Sequence, residues 1–223
     1  MTMPVKVRDD MTQRHVVRPG DEPWRPSPAK GVERRMLDRI GAEVARATTI
    51  VRYEPGSRFD AHRHDHGEEF LVLEGTFCDE HGEYPAGTYV RNPPGSSHAP
   101  FTEQGCTIFV KLRQFDPEDT TRVVIDTAAA RFSPGLVPGL SVLPLHQHKG
   151  VNTALVRWAP QCQFQPHMHW GGEEILVLEG TFRDEHGAYP TGTWLRSPHL
   201  SKHTPYVQED GCLIYVKVGH LAA

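Results

Sequence analysis

The feature that most constrains this chain is that it contains the same stretch twice. Residues 62–98 and 167–203 align at a constant offset of 105 without a gap, and 24 of the 37 paired positions are identical. Leu71 to Phe77 matches Leu176 to Phe182, and Asp79-Glu80-His81-Gly82 matches Asp184 to Gly187. The likeness runs outward, from Val51-Arg52-Tyr53 with Val156-Arg157-Trp158 to Gly105-Cys106 with Gly211-Cys212. A unit of about 100 residues is of domain size, whereas solenoid repeats run to roughly 20–50 residues. The chain is therefore one small domain, duplicated.

Within each copy, β-branched and apolar runs such as Thr49 to Tyr53, Phe70 to Leu73, Thr88 to Val90 and Thr107 to Leu112 are separated by Gly, Pro, Asn and Asp clusters. That pattern predicts short strands joined by turns. Helical periodicity is confined to Val32 to Arg39, where Pro28 and Gly41 limit it to a turn or two. The expected class is all-β, a closed barrel or jelly roll in each half. Residues 1–14 are expected as a flexible tail, 15–115 as the first domain, 116–132 as a linker and 133–223 as the second domain.

With 24 Lys plus Arg against 28 Asp plus Glu, the chain has a net charge of -4. A general nucleic-acid binder relies on a basic field, so none is expected as a partner. No apolar run approaches the roughly 18 residues that cross a bilayer, and Lys6, Arg8, Asp9, Asp10 and Arg14 leave no signal-peptide core. Cys78, Cys106, Cys162 and Cys212 form no Cys-x-x-Cys pair, and a secreted disulfide scaffold is shorter and richer in cysteine. These readings place the protein in the cytoplasm, away from membranes, with its thiols reduced.

Histidine is abundant, at 14 copies, and its placement carries the chemistry. His62 and His64 stand two apart, so on a strand both imidazoles point to one face. Asp65-His66-Gly67 reads as a turn that returns a carboxylate, Glu68 or Glu69, beside them. Strand parity does not choose between the two. His98 follows the turn Asn92-Pro93-Pro94-Gly95 at the end of a later strand. Three imidazoles and a carboxylate form a donor set for a divalent transition metal, and the second copy supplies His167, His169, Glu173 and His203 in the same register. A lone strand histidine is more often a hydrogen-bonded structural residue. Here, however, the copies diverge around the set (Asp65 to Trp170, His66 to Gly171, Pro94 to His199) while all eight donors persist.

These residues resemble the cupin family, whose first motif is G-x5-HxH-x3,4-E-x6-G and whose second is G-x5-PxG-xx-H. The first copy reads Gly56, His62, His64, Glu68, Gly75, then Gly87, Pro93, Gly95, His98. The resemblance implies a metal inside a β-barrel, and its six-residue gap to Gly75 selects Glu68, as Gly180 selects Glu173. The second copy departs at Gln161 and Leu200, both backbone positions, so turn shape rather than ligation is at issue there. More narrowly, His-x-His-x-x-Gly-Glu-Glu before Leu-Val-Leu-Glu-Gly-Thr-Phe, with the Trp24-x-Pro26 lead-in, resembles the ChrR-like cupins over residues 16 to 220. In ChrR such a cupin binds zinc and follows a zinc-binding domain that holds an ECF sigma factor, and the family includes iron-dependent dioxygenases acting on small hydroxyaryl ketones. This sequence has no helical domain or Cys-x-x-Cys ahead of the first cupin, so anti-sigma activity and sigma-factor binding do not carry over.

Two functions follow. The first is a sensory or regulatory double-cupin metal-binding module, with one metal per domain. Zinc is favoured there because four ligands complete its tetrahedron. The second is a dioxygenase using iron, manganese or nickel, whose octahedral sphere keeps two open positions for a small diketone or hydroxyaryl ketone in the barrel. The deciding feature is the pocket lining. Candidates are Tyr53, Phe59, Phe70, Phe101 and Phe109, then Trp158, Phe164, Trp194, Tyr206 and Tyr215. Arg52 and Arg157 are candidates to orient an anion. Exposed edge strands would allow a homodimer.

Overall fold

The computed structural model describes residues 5–221. Every named element among them is a β-strand, and no helix is long and apolar enough to cross a membrane. The chain divides into two compact units. One holds the described part of Met1–Asp9 with Glu22–Ala130, and the other holds Asp10–Asp21 with the described part of Arg131–Ala223. The first thus contains Val5–Val7, paired antiparallel with Val32–Gly41, within the stretch expected as a tail. It also contains Val123–Asp126, paired with Thr88–Asn92, within the stretch expected as a linker. Three- and four-residue strands of this kind carry too few side chains for a period of two to stand out from the sequence.

The first unit is built on a nine-stranded antiparallel sheet. Its central order runs from Val32–Gly41 through Ala45–Tyr53, Cys106–Leu112 and Glu68–Asp79 to Thr88–Asn92. A two-stranded sheet pairs His62–Arg63 with Ser97–His98. The second unit repeats the plan on eight strands, from Leu140–His148 through Val151–Trp158, Cys212–Val218 and Glu173–Asp184 to Trp194–Ser197, where His15–Val17 adds an edge. The two-stranded sheet recurs as His167–His169 with Ser201–His203. These are two cupin barrels of the jelly-roll type.

The long strands turn the barrel corner at a glycine. Glu68–Asp79 pairs with Cys106–Leu112 over its first part and with Gly82–Pro85 over its last, and the switch falls at Gly75, with φ +70. A Cβ there would lie 2.1 Å from the Gly105 carbonyl oxygen, closer than any side chain tolerates. Gly180 repeats this, with the Gly211 oxygen at 2.2 Å. The repeated Leu-Glu-Gly-Thr-Phe is therefore a corner, where the strand passes from one sheet to the next. Inward residues pack into an aromatic and aliphatic core in each unit, around Phe70, Phe77 and Tyr84 in the first and Trp158, Phe182 and Tyr189 in the second.

Val32–Gly41, read as helical over its first eight residues, is a strand. Val32, Met36 and Ile40 recur at helical spacing, but the pairing with Ala45–Tyr53 skips Leu37, a β-bulge between Met36 and Asp38. The bulge breaks the period of two that would have marked the strand. It also turns the following residues over, which matters for the site.

Candidate metal centres

Local structure gathers the donors. His98 lies directly opposite His62 in the small sheet. The His64 amide donates to the Ser96 carbonyl at 2.9 Å, and Glu68 opens the long strand opposite Asn92. The rings of His62, His64 and His98 stand 4.7 to 5.0 Å apart by centroid. Glu68 reaches them with Oε2 3.7 Å from His64 Nε2 and Oε1 3.6 Å from His98 Nε2. Donor atoms of all four lie within 4.8 Å of one another. Glu69, the other carboxylate that parity allowed, faces the opposite side and accepts from Tyr89 and Arg91.

In the second unit His167, His169 and His203 form the same triangle, with centroids 4.6 to 4.9 Å apart. Glu173 is beside two of them, 3.5 Å from His169 and 3.6 Å from His203. The group whose donors all fall within 4.8 Å is the three histidines. His169 and His203 face each other Nε2 to Nε2 at 3.0 Å.

The outer ring nitrogens show how each imidazole is held. His62 Nδ1 donates to the Asp60 carbonyl and His167 Nδ1 to the Gln165 carbonyl, both at 3.0 Å. His98 Nδ1 meets Asp79 Oδ2 at 3.1 Å, and His203 Nδ1 meets Asp184 Oδ2 at 3.6 Å. An ionised carboxylate only accepts, so the Nδ1 of His98 carries the proton and its Nε2 keeps a lone pair toward the cluster, while Asp184 faces His203 Nδ1 as a charge contact. These aspartates belong to the repeated Asp-Glu-His-Gly, which reads as a turn from sequence. They do make that turn, since Asp79 Oδ1 accepts from the His81 amide and Asp184 Oδ1 from the His186 amide, both at 2.8 Å. Identity of the aspartate in both copies is the signal the sequence carries, and the turn alone also accounts for it.

Burial tunes the groups. It lowers the His64 pKa against the opposing pull of Glu68. His169 falls to about 3, through burial and then its neighbours His203 and His167, while burial lifts Glu173 to about 7. At His98 and His203 burial also disfavours the cation, but the contacts with Asp79 and Asp184 and the nearby glutamates outweigh it and raise the pKa. Asp184 drops to about 2, because its contacts with His203, Tyr189 and the His186 amide overcome burial.

Metal fit is tested by atoms the protein leaves unsatisfied. His64 Nε2 and His98 Nε2 are buried with no hydrogen-bond partner, and such an atom is costly unless something else coordinates it. Three imidazoles and a carboxylate around those nitrogens match a transition-metal donor set. The His/Glu groups could hold a metal.

A cavity of about 490 Å³ in the first unit reaches His62, His64, Glu68 and His98. Tyr53 and Phe59 line it as the sequence suggested, together with Phe77, Ile108 and Val110. Phe70 and Phe109, also candidates, are instead core, each 1% exposed, and Phe101 bridges Arg58 and Cys78. Arg52 does not line the first cavity, and Arg157 borders a smaller cavity of the second unit that lies apart from the histidines. Arg52 pairs with Glu33 and stacks on Trp24, and Arg157 pairs with Glu179. Both lie on the outer face, as alternation beside inward Val51 and Val156 requires. The cavity's guanidinium groups belong to Arg34, Arg39, Arg63 and Arg113. In the second unit a cavity of about 270 Å³ lies near Gly139, Trp158 and Gly211, apart from the histidines.

Among solved structures, the chain is similar to a candidate dioxygenase from Nostoc punctiforme, with TM-score 0.77, 15% identity, and 94% of this chain and 84% of that one covered. It is also similar to the bacterial pirin YhhW from Escherichia coli, solved in complex with nickel(II), with TM-score 0.65, 15% identity, and coverage of 92% and 98%. A third is oxalate decarboxylase from Lactobacillus farciminis in a formate complex, with TM-score 0.60, 13% identity, and coverage of 93% and 86%. At such identities the likeness establishes the fold. Comparison with curated proteins returned no match. The family model of the ChrR cupin-like domain matches twice, over residues 12–116 and 120–222, and the chain belongs to that family as a tandem pair.

Proposed function

We infer that both units bind a divalent metal and that the first is a metal-dependent enzyme of the dioxygenase class, acting on a small diketone or hydroxyaryl ketone. The observation that carries this reading is the cavity of about 490 Å³ that ends on the four donors, within the range of small-molecule sites. In the first unit His62, His64, Glu68 and His98 would hold the ion. Iron, manganese or nickel there would supply a Lewis-acidic, redox-capable centre.

The chain's own residues do the rest. Tyr53, Phe59 and Phe77 enclose the apolar body of a substrate and exclude water. Burial holds the Tyr53 hydroxyl protonated, so it serves as a donor to a substrate oxygen. Asp79 fixes the His98 ring.

In the second unit His167, His169, Glu173 and His203 are read as a closed zinc site that stabilises the barrel, four ligands completing the tetrahedron. A purely sensory module, with zinc in both barrels, leaves the first cavity without a role. Four free, buried cysteines suit a reducing compartment, and the reading places the protein in the cytoplasm.

The test is elemental analysis of the freshly purified protein, with about two metals per chain expected, followed by oxygen uptake. Protein reconstituted with Fe(II) should consume oxygen with β-diketones or hydroxyacetophenones. No uptake with any of them would return the first unit to the sensory reading.

A further inference from the structure

Arg39 is 3% exposed and lines the first cavity. Its place follows from the sheet register. Arg39 lies opposite Ala47, Ala47 opposite Leu112, and Leu112 opposite Glu68. Directly opposed residues share a face, so Arg39 points into the same barrel interior as the metal-facing carboxylate. The bulge at Leu37 creates this arrangement. Val32, Arg34 and Met36 face inward before it, and without the extra residue Asp38 would follow them.

The guanidinium shares its nearest countercharge, the Glu43 carboxylate, with Arg34. Arg39 Nη2 donates to the Ala42 and Glu43 carbonyl oxygens, and among the described residues no carboxylate pairs with it. The Glu43 side chain, the nearest candidate, is engaged in a two-point pair with Arg34 at 3.0 and 3.2 Å. Burial and then the Arg34 charge work against the Arg39 cation, and the Glu43 carboxylate offsets them only in part. A buried cation hydrogen-bonded to backbone carbonyls, its nearest carboxylate already paired with Arg34, beside a largely apolar cavity is an anion subsite. The second unit lacks it. At the same register positions, opposite Val156 and Asn152, stand Val142 and Gln147.

We propose that the first barrel takes organic acids: the carboxylate of a substrate with an apolar body is held by Arg39 at the cavity rim beside the Gly41–Ala45 turn, with Arg34 in support. The proposal rests on reading this cavity as a small-molecule site and adds a carboxylate to the small diketone or hydroxyaryl ketone proposed for it. Arg39 is a specificity determinant and takes no part in the bond-making step.

The test uses metal-free, full-length protein at pH 8, so that no carboxylate binds through a metal. Benzoate and phenylacetate are titrated calorimetrically beside their neutral isosteres, benzamide and phenylacetamide. The acids should bind about tenfold to a hundredfold tighter than the amides, as a charge-assisted bond implies. Arg39→Gln should erase that preference while leaving amide affinity unchanged, and Glu43→Gln, which frees Arg34, should widen it. Should Arg39→Gln not fold, Arg39→Lys takes its place and should narrow the preference. Equal binding of acids and amides, no binding of either, or a preference that Arg39 variants leave intact overturns the proposal. A protein that takes no metal or consumes no oxygen would still give this result, so the two readings fail separately.

Discussion

His98 donates its Nδ1 hydrogen to Asp79 Oδ2 across 3.1 Å, with both side chains about 2% exposed or less. The same carboxylate accepts from the Tyr84 hydroxyl at 3.1 Å and the His81 amide at 2.8 Å. One aspartate therefore closes a hairpin and sets the tautomer and tilt of a donor 19 residues away. Asp79→Asn keeps the shape but offers an amide group that can turn its NH2 toward the ring, removing the bias for a lone pair at Nε2. It should weaken metal binding at the first site by about 10- to 100-fold and leave the second unchanged, as read by competition with a chromogenic chelator.

His98→Ala should lower bound metal by one ion per chain, and His203→Ala should do the same at the other site. Their effects should be additive, as for sites in separate units that share no ligand. Elemental analysis of the two single variants and the double variant decides this. Loss of both ions from either single variant would show the two centres to be one unit.

How far the sequence could be read depended on the range of each signal. The period of two along His62-Arg63-His64 is local, and a strand delivers it whatever surrounds it. His98 needed only the preceding turn. Seven of the eight candidate donors fall into the two compact groups, with Glu173 adjacent. Arg39 escaped because its direction depends on a bulge at Leu37, one residue out of phase with everything before it. Asp79 and Asp184 escaped because one carboxylate does two jobs and the turn explained the residue already. The inner face of Val32–Gly41 carries arginine among apolar residues, so hydrophobic alternation could not reveal it.

The four cysteines should be silent in the folded protein. All are buried, and burial raises the thiols of Cys106 and Cys212 to about 12, with Cys78 and Cys162 shifted the same way. A raised thiol pKa depletes the thiolate, so at pH 8 Cys106 and Cys212 hold only about a ten-thousandth of their sulfur in the reactive form. A chromogenic disulfide reagent should release almost no colour from native protein at pH 8 and four equivalents after denaturation. Rapid native reaction at any one position would show that its barrel opens.

Two turns keep their conformation although the copies differ there. Gly56 and Gly95 have φ of +77 and +90, and their counterparts Gln161 and Leu200 hold +64 and +63. The second barrel therefore keeps the turns with side chains that disfavour this conformation, at a cost of roughly 1–2 kcal/mol each. Gln161→Gly and Leu200→Gly should each stabilise the second unit by about 0.5–1 kcal/mol, the relief of strain being partly offset by the freer unfolded chain. The reciprocal change Gly56→Gln isolates the backbone term, since a Cβ at Gly56 meets nothing within 4 Å. It should destabilise the first unit by about 1 kcal/mol. Urea unfolding of the metal-free protein, followed by tryptophan fluorescence and by hydrogen exchange resolved to each unit, reads both signs. A neutral Leu200→Gly would mean that packing of the leucine side chain, which is 45% exposed, compensates for its backbone.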